Sequence, residues 1–303
     1  MVDAVKVIRD FCRSRLAPTI VAASAFCLAA AVACGGRAPI AAGVFVAVNR
    51  DTLGVGGPID VTVQFVAARD TAALPKDGVV LMRLLFADGE VMANYDHEPE
   101  PPTSQWKPGA TIRYSRRIFV RDVPYVGGAT LVVALASKQT GEKVRLSGAE
   151  DLGGRMYRAA SLTLRASPSI VMYDDGWYRA EGAAERGEEW RWTSERASLS
   201  MPNPQRDSVL YLRVGGSPIA NETPQRLTIE KDGRMIRELE VKSGTTDFEV
   251  PLTTADLGSA PAVKLFLNVD KTFVPAKLPG GGGDTRTLGV RVFNVYLEPR
   301  PAS

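Results

Sequence analysis

A chain of 303 residues is long enough for about two ordinary domains and needs no disulfides to build a core. Its 45% apolar and 23% charged residues are those of an ordinary globular protein, and 28 glycines with 20 prolines give the turn-rich balance of β structure. A single histidine, and three cysteines that all precede residue 35, exclude most metal-site and thiol chemistry, while the net charge of +3 hints at an acidic partner.

The N-terminus carries Lys6, Arg9, Arg13 and Arg15 against only Asp3 and Asp10, and an uncharged stretch then runs from Leu16 to Ala33. A basic segment followed by a short apolar one is the pattern of a secretory signal. Pro18, Thr19 and Ser24 interrupt the stretch, which is short for a spanning helix of about 20 apolar residues. It closes on Ala30-Ala31-Val32-Ala33-Cys34-Gly35-Gly36, which resembles the lipobox of bacterial lipoproteins, where small residues precede the cysteine that takes the lipid. The resemblance implies a signal peptide over 1–33 and membrane attachment through a lipidated Cys34. Gly35, rather than an Asp, implies the periplasmic side of the outer membrane. Ala31 stands where a lipobox usually has Leu, which keeps ordinary signal-peptide cleavage and an uncleaved anchor as alternatives. Cys12 and Cys27 leave with the signal. Without residues 1–33 the chain has 33 Lys and Arg against 32 Asp and Glu, so the hint of an acidic partner goes as well.

After a tether over 34–43, strand patterning begins. Ile59, Val61, Val63 and Phe65 alternate with Asp60, Thr62 and Gln64, the period of a half-buried strand. Further runs are Val79 to Phe86, a hairpin at Asp88-Gly89 into Glu90-Val91-Met92, Ile112 to Val120, Thr130 to Ala136, Lys143 to Leu146, and Tyr157 to Leu164. Residues 165–169 read as a linker. A second set follows: Glu189 to Met201, Val209 to Val214, Arg226 to Lys231, Met235 to Val241, Asp247 to Leu252, Val263 to Val269 and Leu288 to Leu297. Asp232-Gly233 marks a hairpin, Thr253 to Leu257 fits one helical turn, and the last strand reads as apolar on both faces, as a central strand is. The expected fold class is all-β: two tandem β-sandwiches, Ig-like over 44–166 and jelly-roll-like over 170–298.

Candidate chemistry is sparse. His97, in Tyr95-Asp96-His97-Glu98-Pro99, has no second histidine or mature thiol to complete a zinc site, and Gly-x-Ser-x-Gly is absent, so it reads as a loop residue. Asp174, Asp175, Glu181, Glu185, Glu188, Glu189, Asp270 and Asp284 offer the paired carboxylates of a glycosidase only by availability. Gly280 to Gly283 lacks the Lys-Ser/Thr of a phosphate loop, and no basic stripe interleaved with aromatics points to nucleic acid. Aromatic clustering is more telling. Tyr173, Trp177, Tyr178, Trp190, Trp192 and Tyr211 fall within forty residues, with Trp190 and Trp192 on one face of a strand, where core is the default. Trp177 and Tyr178 follow a turn, as a partly exposed platform for the C–H faces of sugars would.

Gly176-Trp177-Tyr178-Arg179-Ala180-Glu181, Arg191-Trp192-Thr193, Asp270-Lys271-Thr272-Phe273-Val274-Pro275 and Asp284-Thr285-Arg286-Thr287-Leu288-Gly289-Val290, in that order, resemble the jelly-roll-like domains appended to bacterial glycosyltransferases of surface-polysaccharide synthesis. The first unit has a weaker likeness to the Ig-like accessory domains of such proteins, through residues 101–109 and 141–146. The resemblance implies a non-catalytic, cofactor-free, cell-envelope protein that binds glycan or assists polysaccharide handling, with Trp177, Tyr178, Glu181, Asp284 and Arg286 as ligand-binding candidates and no metal. Two readings stay open beside it: an ion-pair lattice of Glu181, Arg191, Asp284 and Arg286 that only pins the sandwich, and an adaptor that docks an envelope protein.

Overall fold

The computed structural model describes residues 38–183, 188–221 and 223–300. The signal segment, the lipidation candidate Cys34 and Glu185 lie outside the described residues. The described chain is built of strands: β1 (Ile40–Val48), β2 (Thr52–Gly54), β3 (Pro58–Ala67), β4 (Gly78–Leu85), β5 (Val91–Asn94), β6 (Thr111–Phe119), β7 (Gly127–Ser137), β8 (Arg145–Ser147) and β9 (Tyr157–Arg165) form a first sandwich. Its two sheets run β6-β3-β1-β8 and β2-β9-β7-β4-β5. The first strand starts at Ile40, inside the segment expected as tether, because Ala41, Ala42 and Val44 are buried against the core. β3 keeps the alternation visible in its sequence, with Ile59, Val61, Val63 and Phe65 fully buried. Each such side chain contributes about 1.5–3 kcal/mol of burial.

The second sandwich contains β10 (Met172–Tyr173), β11 (Glu181–Ala183), β12 (Glu188–Trp192), β13 (Arg196–Pro202), β14 (Ser208–Gly215), β15 (Gln225–Lys231), β16 (Arg234–Val241), β17 (Thr245–Leu252), β18 (Ala262–Val269) and β19 (Arg291–Pro299). One sheet runs β10-β13-β18-β15-β16 and the other β11-β12-β19-β14-β17. The fold is all-β, of sandwich and jelly-roll-like architecture. At the β15–β16 hairpin Asp232 and Gly233 both take positive φ, 52° and 75°, as a two-residue type I′ turn requires. The expected helical turn is α1 (Thr254–Leu257), started by a capping box between Thr253 and Asp256.

Two expectations change. The run from Glu189 to Met201 is not one strand: the chain leaves one sheet after Trp192 and enters the facing sheet at Arg196. Thr193 makes the crossing, its N–H donating to Val290 O and its Oγ1 accepting from Val290 N, while Gly289 lies so close that a Cβ there would sit 2.5 Å from that Oγ1. In β19 the two apolar faces are one face. Arg213 pairs with Asn294 and the next residue of β14, Val214, pairs with Val292, so Phe293 is bulged out. The bulge shifts the alternation by one, and Val290 and Val292 before it share the core with Val295 and Leu297 after it.

The two sandwiches meet along the outer face of the β14–β19 ladder. Tyr211 and Tyr296, cross-strand partners, pack with Phe119 of β6. Tyr296 fits against the β2 turn, where a Cβ on Gly54 would sit 2.6 Å from its hydroxyl. Arg117 of β6 donates from Nε to Asp60 at 2.8 Å, reaches Glu249 of β17 at 2.5 Å and lies over the Tyr211 ring. Arg50 pairs with Glu298, and Ser169 Oγ accepts from Leu297 N.

His97 is not a free loop residue. Only 8% exposed, it bridges to the edge of β4 at Val80. Nδ1 lies 2.9 Å from Tyr95 O, an acceptor, so the neutral ring carries its proton there, and Nε2 accepts from the Tyr114 hydroxyl of β6 at 2.8 Å. Together with the bond from the Tyr95 hydroxyl to Phe119 O, this closes the gap between the edge strands β5 and β6 of the facing sheets. Burial pushes the imidazole down to about 4 from 6.5. Unfolded His97 therefore binds a proton that the native ring refuses. Its stabilising share is whole above pH 6.5 and falls as pH drops toward 4, by at most about 3 kcal/mol. Urea denaturation at pH 7 and pH 4.5 should show a loss of stability in the wild type that is clearly smaller in His97→Gln. An equal loss in both proteins would refute the assignment.

Candidate functional site

The turn Asp174-Asp175-Gly176 places the first pair of candidates. Gly176 has φ +81°, and a Cβ there would lie 2.0 Å from Arg196 O, so only glycine allows this approach to β13. Trp177 and Tyr178, neighbours on an extended chain, then point to opposite sides. Trp177 turns toward the main core: its Nε1 donates to Ser198 O at 2.6 Å and its ring meets Tyr173 edge-on at 4.8 Å. Tyr178 turns the other way, and its hydroxyl donates to Thr287 O at 2.9 Å. Both rings are half-buried and both polar tips are spent on backbone carbonyls.

Tyr178, Glu181, Asp284 and Arg286 come together, and Trp177 does not join them. Arg286 donates from Nε and Nη2 to Asp284, at 3.0 and 2.7 Å, and from Nη1 to Glu181 at 2.6 Å, while its guanidinium lies 5.2 Å from the Tyr178 ring centre. Hydrogen bonds from Arg286 hold the Asp284 carboxyl below its ordinary range, and the Asp284 and Glu181 carboxylates raise the guanidinium in turn. The geometry is that of a clamp tying β11 to the loop before β19. Arg191 stands apart, over Tyr173. Asp284, held ionised, is poorly suited to the role of a general acid. Among the described residues no three His, Cys, Asp or Glu side chains are grouped to hold a metal ion.

A second constellation adjoins this one through Tyr178. Trp192, Phe273 and Leu288 form a small buried cluster on which Tyr178, Trp190, Ile219 and Leu278 pack. Trp190 and Trp192 do share a face, as their spacing requires, but it is the outer face of the sheet and not the main core. From β19, Arg291 pairs with Trp192 across the ladder, and the bulged Phe293 reaches Trp190 at 5.8 Å between ring centres. The Arg291 guanidinium stands 5.9, 5.6 and 5.6 Å from the ring centres of Trp190, Trp192 and Phe293. Burial lowers its pKa. Arg291 and Phe293 escape sequence reading because their meaning depends on pairing with a strand one hundred residues earlier. The matching signal is the spacing: Trp190-x-Trp192 faces Arg291-x-Phe293.

No family model matches the chain, and no curated protein matches it. Among solved structures it is similar to the Pseudomonas fluorescens alkylpurine DNA glycosylase AlkC bound to abasic-site DNA, at 17% identity over 42% of this chain and 31% of that one, with a TM-score of 0.26. It is similar to the carbohydrate-binding module TmCBM61 in complex with β-1,4-galactotriose, at 16% identity over 44% and 90% of the two chains and a TM-score of 0.25. A third is the CBM22-1–CBM22-2 tandem of Paenibacillus barcinonensis Xyn10C, at 10% identity over 87% and 93%, with a TM-score of 0.26. At these scores the likenesses decide nothing about function.

Removing the clamp arginine should loosen the loop it holds without opening the core. In Arg286→Ala, amide exchange should speed up at the residues around Asp284 to Leu288 and stay slow in β14 and β18; unchanged exchange in the loop would show that the ion pairs hold nothing.

Proposed function

We propose that this chain is a lipid-anchored, non-catalytic cell-envelope protein whose second sandwich binds glycan on the outer face that carries Trp190, Arg291 and Phe293. The observation behind this reading is the placement of half-buried aromatic rings and a guanidinium outside the main core. Sugars offer C–H faces to such rings and hydroxyls to such donors. Tyr178, with Glu181, Asp284 and Arg286, borders the same face and supplies its polar rim. Trp177 serves the core in this reading.

Calorimetric titration of the full-length chain in detergent with envelope polysaccharides tests it. Trp190→Ala and Phe293→Ala should each weaken binding about tenfold, the worth of one aromatic contact of ~1–1.5 kcal/mol, and Trp177→Phe should leave it unchanged. Absence of binding at millimolar saccharide sinks the reading. The anchor is tested separately. Cells fed an alkyne fatty acid should label the protein, and Cys34→Ala should abolish the label; a labelled Cys34→Ala variant would place the lipid elsewhere.

A second reading, an adaptor for an envelope protein, draws on a different surface. Ile40 and Phe45, 40% and 52% exposed, border a shallow trough of about 390 Å³ on the first sandwich, floored by Ala42, Gly43 and Val66. Failure of every glycan would favour it.

A further inference from the structure

Among the described residues no carboxylate is paired with Arg291, and Glu188 acts on it only from beyond ion-pair distance. Several half-buried arginines of the fold are paired: Arg50 with Glu298, Arg117 with Asp60 and Glu249, Arg286 with Asp284 and Glu181. Arg116, like Arg291, keeps a buried Nε without an acceptor, but among the described residues it has no cage of aromatic rings around it. Among the described residues Arg291 has no salt bridge, and its one hydrogen bond is a long one, 3.4 Å from Nη2 to Gly216 O. Its Nε is buried with no acceptor, and so is Nε1 of Trp190 on the same face. Two buried donors without partners, side by side, cost about 1–3 kcal/mol each, a penalty that folded proteins rarely keep without a use. Three aromatic rings surround the guanidinium, and contact with ring faces satisfies none of its N–H groups as a hydrogen-bond acceptor would.

What such a group takes is a planar anion. Carboxylate matches the guanidinium fork in a paired, charge-assisted geometry, and the surrounding rings exclude the water that would otherwise screen it. We propose that Arg291 is the anion-recognising residue of this face and that its ligand is an acidic saccharide, the carboxylate of a uronic acid lying against the guanidinium while the sugar ring stacks on Trp190 or Phe293. This rests on the glycan reading above and sharpens it from sugars in general to acidic ones. It also fits a chain whose exported part is nearly neutral: acidity is selected by one placed charge and not by a basic surface.

The test uses the full-length protein in detergent, titrated with an oligouronate and with a neutral oligosaccharide of equal length. Wild type should bind the oligouronate at least tenfold more tightly, and added salt should weaken only that arm. Arg291→Gln should lose the preference, its affinity for the oligouronate falling to that for the neutral sugar, whereas Arg291→Lys, which keeps the charge without the fork, should recover part of it. Thermal melting of each variant shows whether it is folded, and the lysine variant carries the comparison if the glutamine variant is not. Equal binding of both sugars by wild type, or an undiminished preference in folded Arg291→Gln, overturns the acidic-ligand assignment and leaves the glycan reading standing. No binding of either sugar overturns both.

Discussion

A strand in the middle of a sandwich must send one face into the core and the other outward, and its side chains alternate with no freedom to choose. β19 meets that constraint twice with different parity. Before the bulge at Phe293 the even positions face inward, and after it the odd ones do. A straight strand with this sequence would bury either Val292 or Val295 and Leu297, never all three. The extra residue therefore decides more than local shape. It keeps Val292, Val295 and Leu297 in one core, swings Phe293 out beside Trp190, and aims Tyr296 at the first sandwich.

The outer face so created is shared between two tasks. At the Arg291 end aromatic rings gather under the loop from Phe273 to Leu288. At the Tyr296 end the same sheet is the docking surface for β6, with an apolar centre of Phe119, Tyr211 and Tyr296 and ion pairs at its margin. Tyr296 is 2% exposed and lies against a glycine turn that any side chain would crowd, so the first sandwich carries a groove shaped for a residue some 240 positions later. Interfaces of this kind hold two domains as one body where the apolar centre is closed, and loosen where only charges meet.

Much of this was legible in sequence, for reasons that differ by element. β3 and β18 show period two because each has one wet face, and Asp232-Gly233 specifies its turn because few residues accept positive φ twice in succession. The short strands β2, β10 and β11 were not foreseen: two or three residues carry no period, and their pairing is imposed by neighbours far along the chain. His97 was read as a loop residue because its burial depends on Tyr114, which reaches it from the opposite sheet. For the candidate site, the motif resemblance grouped Trp177, Tyr178, Glu181, Asp284 and Arg286; the last four lie together, while Trp177 packs against the main core. Arg291 and Phe293 needed the register of a ladder and a bulge, neither of which local composition encodes.

Sheet edges give the junction another meaning. Open edges invite pairing with a foreign strand, and short or charged edge strands discourage it. Most edges here are short: β8, β2, β5, β10 and β11 have two to four residues each. The long ones are β6, β16 and β17. β16 bristles with Arg234, Arg237, Glu238 and Glu240, while β6 and β17 are linked where Arg117 meets Glu249. Docking one sandwich on the other thus ties two long margins together at a single ion pair, and a chain whose halves came apart would leave both of them without that tie.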